Sequence, residues 1–307
     1  MPPSGVPLPP ASAALTDSEY VRLASVVMAC AGGAGKIRLT GGEPTLHPTL
    51  VPLVASLAKL TSGTVGITTN GLVLHRSLPA LLAAGLGSVN VSLDSVDRGK
   101  FRAMTRRDAL PTLLKSLRLC REHTDNIKVN CVVMRGFNDG PGDFEGMLRF
   151  GEELDVDVRF IEYMPFSDNG WDGESKYMPY SEMLSAISQT SYALSPLPPT
   201  DPHDTSKWHS HPSSPRRVGF IASMSTPFCS SCNRLRITAD GSLKVCLFSN
   251  SEVSLRDAMR DGVSDAELEA ILRGALGGKE RRWGGSGELE ELRERSKGNR
   301  AMTAIGG

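Results

Sequence analysis

Three cysteines, Cys229, Cys232 and Cys246, lie in the run CSSCNRLRITADGSLKVC, and their spacing is that of a metal or cluster site. The residues between them read as a β-hairpin: a strand NRLRIT, an Ala-Asp-Gly turn and a strand SLKVCLF. With Asp240-Gly241 as a two-residue loop, Leu235 faces Cys246, which folds the third thiol back toward the other two. A structural zinc site needs four ligands, yet neither histidine nor cysteine follows Cys246, and His211 is the nearest histidine upstream. Three thiolates without a fourth suit a 4Fe–4S cluster with one iron open to a ligand. A zinc ribbon completed by a distant ligand or a partner is the competing reading of the same spacing.

The elements that must position these thiols begin upstream. Strand-like apolar runs at Lys36–Thr40, Val65–Thr69, Ser88–Leu93, Ile127–Val133 and Val156–Glu162 alternate with helix-like stretches. Those stretches are Asp17–Ala29, Leu50–Leu60, Leu74–Ala84, Pro111–Arg121 and Asp143–Leu154. Such alternation predicts βαβ units around a parallel sheet. Each strand ends in a polar cluster, TGGEP, TTNG, SLDS, MRGFND or EYMPF, where α/β folds gather their ligand chemistry. Any one of these clusters alone also reads as ordinary turn chemistry.

Six ordered motifs carry a family resemblance. They are Arg38-Leu-Thr-Gly-Gly-Glu-Pro44, Thr68-Thr-Asn-Gly71, Val91-Ser-Leu-Asp94, Lys128-Val-Asn130, Arg159-Phe-Ile-Glu-Tyr-Met164 and the three-cysteine hairpin, with a closing Gly306-Gly307. In this order they resemble molybdenum cofactor biosynthesis protein A, the radical S-adenosylmethionine GTP 3′,8-cyclase, and its eukaryotic branch in particular. The resemblance implies a (β/α) TIM-like radical-SAM barrel with a C-terminal Fe–S domain, and a first step of molybdenum cofactor biosynthesis. In that reaction a deoxyadenosyl radical takes the ribose 3′ hydrogen of GTP, and C3′ then bonds to guanine C8. The resemblance assigns Gly42, Glu43, Ser92 and Met164 to S-adenosylmethionine. It assigns Arg38, Thr68, Lys128, Arg234, Leu235 and Arg236 to GTP, and Cys229, Cys232 and Cys246 to a 4Fe–4S cluster that meets the guanine. It also implies a homodimer, a cyclic pyranopterin monophosphate synthase acting next, and the mitochondrial matrix, with the cytoplasm as the alternative.

Physical reasons stand beside several of these assignments. Glycines at 41 and 42 let a ligand approach the backbone, and Glu43 can accept from an ammonium, although a solvated turn glutamate explains it as well. Arg234 and Arg236, two apart on a strand, project from one face, and their guanidinium forks suit triphosphate oxygens or the guanine edge.

One departure is large. The family carries an N-terminal Cys-x3-Cys-x2-Cys loop for its initiating 4Fe–4S cluster, whereas Cys30 is the single cysteine before TGGEP. The expectation is an incomplete gene product whose barrel lacks its first strand and which does not start the radical reaction. A non-catalytic GTP- and Fe–S-binding paralogue, a peptide-modifying radical enzyme and a zinc-ribbon module are the alternatives.

The expected organisation is a disordered leader 1–14, a partial barrel 15–192, a flexible linker 193–217 and a C-terminal domain 218–307. The linker is expected from its Pro, Ser and His content, with His203, His209 and His211 in a solvated loop. Lys279–Arg300 reads as a charged, mobile helix or loop. With 34 basic and 34 acidic residues, no nucleic-acid partner or acidic membrane surface is implied, and no apolar run approaches a membrane span. Six irregularly spaced cysteines in an α/β pattern point to a reducing compartment, with Cys120 and Cys131 as core thiols.

Overall fold

The computed structural model describes residues 11–33, 35–164, 166, 173–212, 214–279, 291–292, 298–300 and 302–305. Residues 1–10 of the expected leader, most of the charged stretch after Lys279 and Gly306-Gly307 lie outside the described residues.

Thr16 opens helix α1 (Asp17–Cys30) with a capping box, its hydroxyl taking the Glu19 amide. Five parallel strands follow: β1 (Ile37–Leu39), β2 (Val65–Thr69), β3 (Leu86–Ser92), β4 (Ile127–Val133) and β5 (Asp157–Glu162). They alternate with α2 (Leu50–Ala58), α3 (Leu78–Ala83), α4 (Arg98–Thr105), α5 (Leu110–Arg121) and α6 (Pro141–Leu154). The strands fall within two residues of the expected runs. Helix α4 is additional to the expected set; Asp97 caps it, and only Phe101 and Met104 are buried along it. After the short helix α7 (Gly173–Lys176) and α8 (Tyr180–Ile187) come β6 (Ser195–Pro196), β7 (Lys207–His211) and β8 (Ser214–Ile221). The eight strands form one sheet in the order β1-β2-β3-β4-β5-β8-β7-β6, with β8 parallel to β5 and β6 and β7 antiparallel.

Residues 193–217 therefore depart from the expected linker. Pairing with β8 places Trp208 and His209 in the buried interior, where His209 contacts the rings of Tyr180 and Phe220. Composition favoured a loop, but a sheet edge with an apolar neighbour overrode it. Residues 11–14 are likewise tied down: Ala11–Ala13 form a 3-10 turn whose carbonyls take Arg256 and Arg260.

The sheet's two faces differ in chemistry. Val65, Ile67, Val89, Val91, Ile127, Val129, Val158 and Phe160 pack against the helices in the main apolar core. At ~25 cal/mol per Å² of buried apolar surface, this layer supplies much of the drive to fold. The intervening residues face the other way, and on that side they are polar.

The second unit is a small sheet, β11-β10-β9, made of β9 (Arg236–Ile237), β10 (Ser242–Lys244) and β11 (Val253–Ser254), backed by α9 (Leu255–Arg260) and α10 (Asp265–Gly277). Leu23 and Val26 of α1 share its core with Leu243, Leu255, Met259, Leu268 and Leu272. Among the described residues, no helix is long and apolar enough to cross a membrane.

Candidate functional site

Register places the polar side chains of the sheet in rows. Arg38 is level with Gly66, and Gly66 with Ser88; Thr68 is level with Asn90, and Asn90 with Lys128. Ser92 is level with Asn130, Asn130 with Arg159, and Arg159 with Gly219. Two glycines keep this face open, one beside Ser88 and Arg38 and one beside Arg159. A Cβ at Gly66 would strike Ser88 Oγ and touch the Arg38 guanidinium at 3.5 Å, and one at Gly219 would lie 2.9 Å from Arg159 Cγ. Asn130 Oδ1 accepts from Arg159 Nε at 2.9 Å and Nη2 at 2.7 Å, which fixes the side chain over the sheet. Lys128 Nζ donates to Asn126 at 3.2 Å, and Asn90 reaches Thr68 Oγ1 at 3.4 Å.

Arg234 and Arg236 come to this face from the second unit. Arg234 lies before β9, and its guanidinium sits 5.5 Å over the Phe228 ring. Arg38 and Arg236 have no hydrogen-bond or ion-pair partner among the described residues. Each of these cations lies near at least one other. Desolvation and then the nearby Arg38 and Arg234 draw Arg159 down to about 10, against the opposing pull of Asp204 and Asp157. Desolvation lowers Lys128 too, helped by Arg159, Arg217 and Arg38. Desolvation and Arg234 lower both Arg38 and Arg236. Like charges held this close are stabilised by a multiply charged anion, the chemistry of a phosphate chain.

The cysteines sit beside them. Cys229 opens the 3-10 turn Cys229–Ser231, and Cys229 and Cys246 pack into one apolar cluster with Met164, Phe166, Met224 and Phe248. Lys279 Nζ lies 3.6 Å from Cys232 Sγ and donates to the Cys232 carbonyl at 2.8 Å. Burial opposes ionisation of Cys232, but the Arg234 amide, Lys279 and the Arg234 charge outweigh it and hold the thiol below its ordinary value. A thiol poised toward thiolate suits an iron–sulfur ligand. Among the described residues, no three His, Cys, Asp or Glu side chains converge on a single-ion site. By contrast, burial pushes Cys120 up to about 11 and Cys131 well up, consistent with inert core thiols.

The hairpin register differs from expectation by one residue. Leu243 pairs with Ile237 and Lys244 with Arg236, so the loop is Ala239-Asp240-Gly241, with Gly241 at φ +78°. Three-residue loops with a left-handed glycine are a standard alternative to the two-residue turn. Leu235 packs its side chain into the α1–α10 core instead of facing the cations.

At the strand ends, Gly41 and Gly42 take φ of +85° and +44°, conformations other residues rarely adopt. Glu43 is a bracket between β1 and β2: Oε1 accepts from the Thr45 amide and the Thr45 and Thr69 hydroxyls, and Oε2 from the Asn70 amide at 2.7 Å. Ser92 is exposed at the end of β3, and Met164 follows β5 within the cysteine cluster. Arg159 opens one of the six motifs but receives no ligand role from it, and Lys279 stands in none of them. The Asn130–Arg159 pairing across adjacent strands is the signal that finds the first.

Comparison with known proteins agrees with this layout. The Radical SAM superfamily matches residues 7–151 and Molybdenum Cofactor Synthesis C matches 156–284. The GTP 3′,8-cyclase of Rhodococcus opacus is 38% identical, over 100% of this chain and 85% of its own length. The chain belongs to the molybdenum cofactor biosynthesis protein A family. The mitochondrial GTP 3′,8-cyclase of Arabidopsis thaliana is 40% identical over 76% of its length. Human molybdenum cofactor biosynthesis protein 1 is 45% identical, and the chain spans about half (46%) of that relative's length. Streptococcus suis SuiB bound to S-adenosylmethionine shares the fold at TM-score 0.53 and 14% identity, over 85% of this chain and 60% of that one. Membership brings a 4Fe–4S cluster and S-adenosylmethionine as the family's cofactors.

Proposed function

We propose that the chain supplies the substrate-binding and auxiliary-cluster parts of a GTP 3′,8-cyclase. The observation that carries this reading is the convergence of Arg38, Lys128, Arg159, Arg234 and Arg236 on one polar face beside three cysteines. The cations hold the triphosphate of GTP, and Thr68 and Asn90 add neutral hydrogen-bonding groups to the same face. Cys229, Cys232 and Cys246 hold a 4Fe–4S cluster, which when bound offers an open iron to the guanine ring. Gly42, Ser92 and Met164, at strand ends, form the S-adenosylmethionine side, with Glu43 bracing the loop that carries it. No Cys-x3-Cys-x2-Cys motif occurs in the 307 residues, so the reading concerns binding and orientation. A homodimer, a cyclic pyranopterin monophosphate synthase that acts next and a mitochondrial location belong to the same family reading.

Anaerobic reconstitution followed by calorimetry with GTP tests it. About four irons per chain are expected, and Cys232→Ala should abolish them. Arg236→Ala should weaken GTP binding by roughly 1.5–3 kcal/mol, the scale of a charge-assisted bond. Undiminished GTP affinity in both Arg234→Ala and Arg236→Ala would reject the site.

A further inference from the structure

The segment 200–206, between β6 and β7, crosses from the β1 edge to the three-cysteine turn, and nothing in the proposed function uses it. It is fastened at three places. Asp201 pairs with Lys36 at 3.3 Å, just ahead of β1. His203 Nδ1 lies 2.8 Å from the Ser231 carbonyl, in the turn between Cys229 and Cys232. Arg234 Nη2 donates to the His203 carbonyl at 3.3 Å and contacts Thr205 Oγ1 at 3.5 Å.

The segment is also stiffened from within. Asp201 Oδ1 accepts from the His203 amide at 2.8 Å, and the Asp204 amide donates to the Asp201 carbonyl at 3.0 Å. Asp204 takes the Ser206 amide at 3.0 Å and Trp208 Nε1 at 2.7 Å, and Arg217 stacks on Trp208 at 4.2 Å. Aspartates that accept backbone amides two residues on are local turn makers. The same Asp204 carboxylate acts on Arg159 across the open face.

The consequence falls on Arg234. With Nη2 turned to the strap, its other terminal nitrogen, Nη1, is buried and has no hydrogen-bond partner among the described residues. An unpaired buried guanidinium nitrogen is costly unless an acceptor arrives. We propose that residues 200–206 form a positioning strap in which His203 and Thr205 hold one edge of the Arg234 fork, so that Nη1 is presented to a phosphate oxygen of the substrate. This rests on the reading of the cation face as a triphosphate site. It assigns positioning residues to a segment whose composition alone reads as an inert linker. Pre-setting a long side chain removes part of the ordering cost of binding, so the strap acts on affinity without touching the ligand.

Inorganic triphosphate is the probe, because it meets the cations without involving guanine or the cluster's open iron. Its affinity for the reconstituted full chain is measured by calorimetry for His203→Ala, His203→Asn and Thr205→Val, each also in an Arg234→Ala background. His203→Ala should weaken binding roughly 5- to 20-fold, and the donor-retaining His203→Asn should recover affinity to within about threefold of the parent. Thr205→Val, which keeps the shape of the side chain and removes its acceptor, should weaken binding about two- to fivefold. In the Arg234→Ala background each change should add less than about twofold, because a strap acting through Arg234 has nothing left to position. Losses of equal size in both backgrounds, or an unchanged affinity in His203→Ala, would overturn the strap. Binding that survives Arg234→Ala intact would overturn the triphosphate reading and the strap with it. Iron content and melting temperature of each variant separate these outcomes from misfolding, and Thr205→Val decides the matter independently if His203→Ala does not fold.

Discussion

Replacing Lys244 with methionine should destabilise the C-terminal unit by about 3 kcal/mol, for reasons that can be worked from its contacts. The Lys244 side chain is 0% exposed. Its ammonium donates to the Ser249 carbonyl at 2.7 Å, Glu252 Oε1 at 3.0 Å and Asn299 Oδ1 at 3.0 Å. Methionine nearly matches its length but donates to none of them. Removing one partner of a buried ion pair costs about 3–5 kcal/mol, chiefly because the other charge is stranded. Glu252 is not wholly stranded here: it keeps Arg300 at 2.6 Å, and its side chain is 17% exposed. That moves the expectation to the lower end of the range. Urea denaturation, read together with hydrogen exchange at the Ser242–Lys244 amides, measures the loss. Faster exchange should extend to residues 298–300, since Asn299 joins Lys244 to the Leu247 carbonyl. A loss below about 1 kcal/mol would refute the reasoning, because Ser249, Glu252 and Asn299 would then be finding water in place of the ammonium.

Burial raises the Asp94 carboxyl to about 6, although the Val132 amide, 2.9 Å from Oδ1, pulls the other way. The folded chain therefore holds the proton more tightly than the unfolded one, and the charged form carries a penalty of about 2–3 kcal/mol that is absent below the unfolded value and complete above the folded value. Asp94→Asn keeps the acceptor for Val132, so it should raise stability at pH 8 and flatten the pH profile between about 4 and 6; denaturation at a series of pH values checks this. The Arg260 side-chain hydrogen bond holds Glu19 down to about 2, so that contact contributes above the unfolded carboxylate range and is lost as acid approaches the folded value. Arg260→Ala should shift acid unfolding upward in pH and cost only about 1 kcal/mol at neutrality, the scale of a solvent-screened pair. Gly219→Ala sets a Cβ 2.9 Å from both Arg159 Cγ and the Trp208 ring, so one of them must move. Calorimetry should find weaker triphosphate binding in that variant, with iron content unchanged.

Periodicity made the barrel readable because its signal is local. Ile127–Val133 alternates buried and half-buried along its whole length, and Val65–Thr69 falls where the apolar run put it. Chemistry that depends on partners across the sheet was harder to see. Arg159 matters because Asn130 lies beside it on the next strand, and neither residue announces the other in sequence. The same holds for 193–217, whose proline, serine and histidine content favours a loop until β8 supplies a ladder and an apolar wall. The hairpin slipped by one residue because Ala239-Asp240-Gly241 accommodates a two- or a three-residue loop, and the choice rests on packing. Gly241 sits so close to α9 that a Cβ there would lie 2.5 Å from Arg256 Cβ. Leu235, which the family resemblance places beside GTP, is half-buried against the core that α1 shares with α10, a contact made across the fold that no local pattern marks.

Helix α1 ties together stretches of chain made far apart in time. Arg22 bonds Asp265 across 243 residues, and Leu23 and Val26 find their apolar partners on β10, α9 and α10. At ribosomal rates of about 5–20 residues per second, roughly 10–50 s separate the synthesis of the helix from that of its partners. Throughout that interval α1 carries an apolar stripe with part of its destination missing, while the βα units assemble from neighbours already made. Slow emergence of the C-terminal unit therefore prolongs a state in which that stripe is open to a chaperone or to another nascent chain, and the vulnerable interval lasts until α10 has left the ribosome.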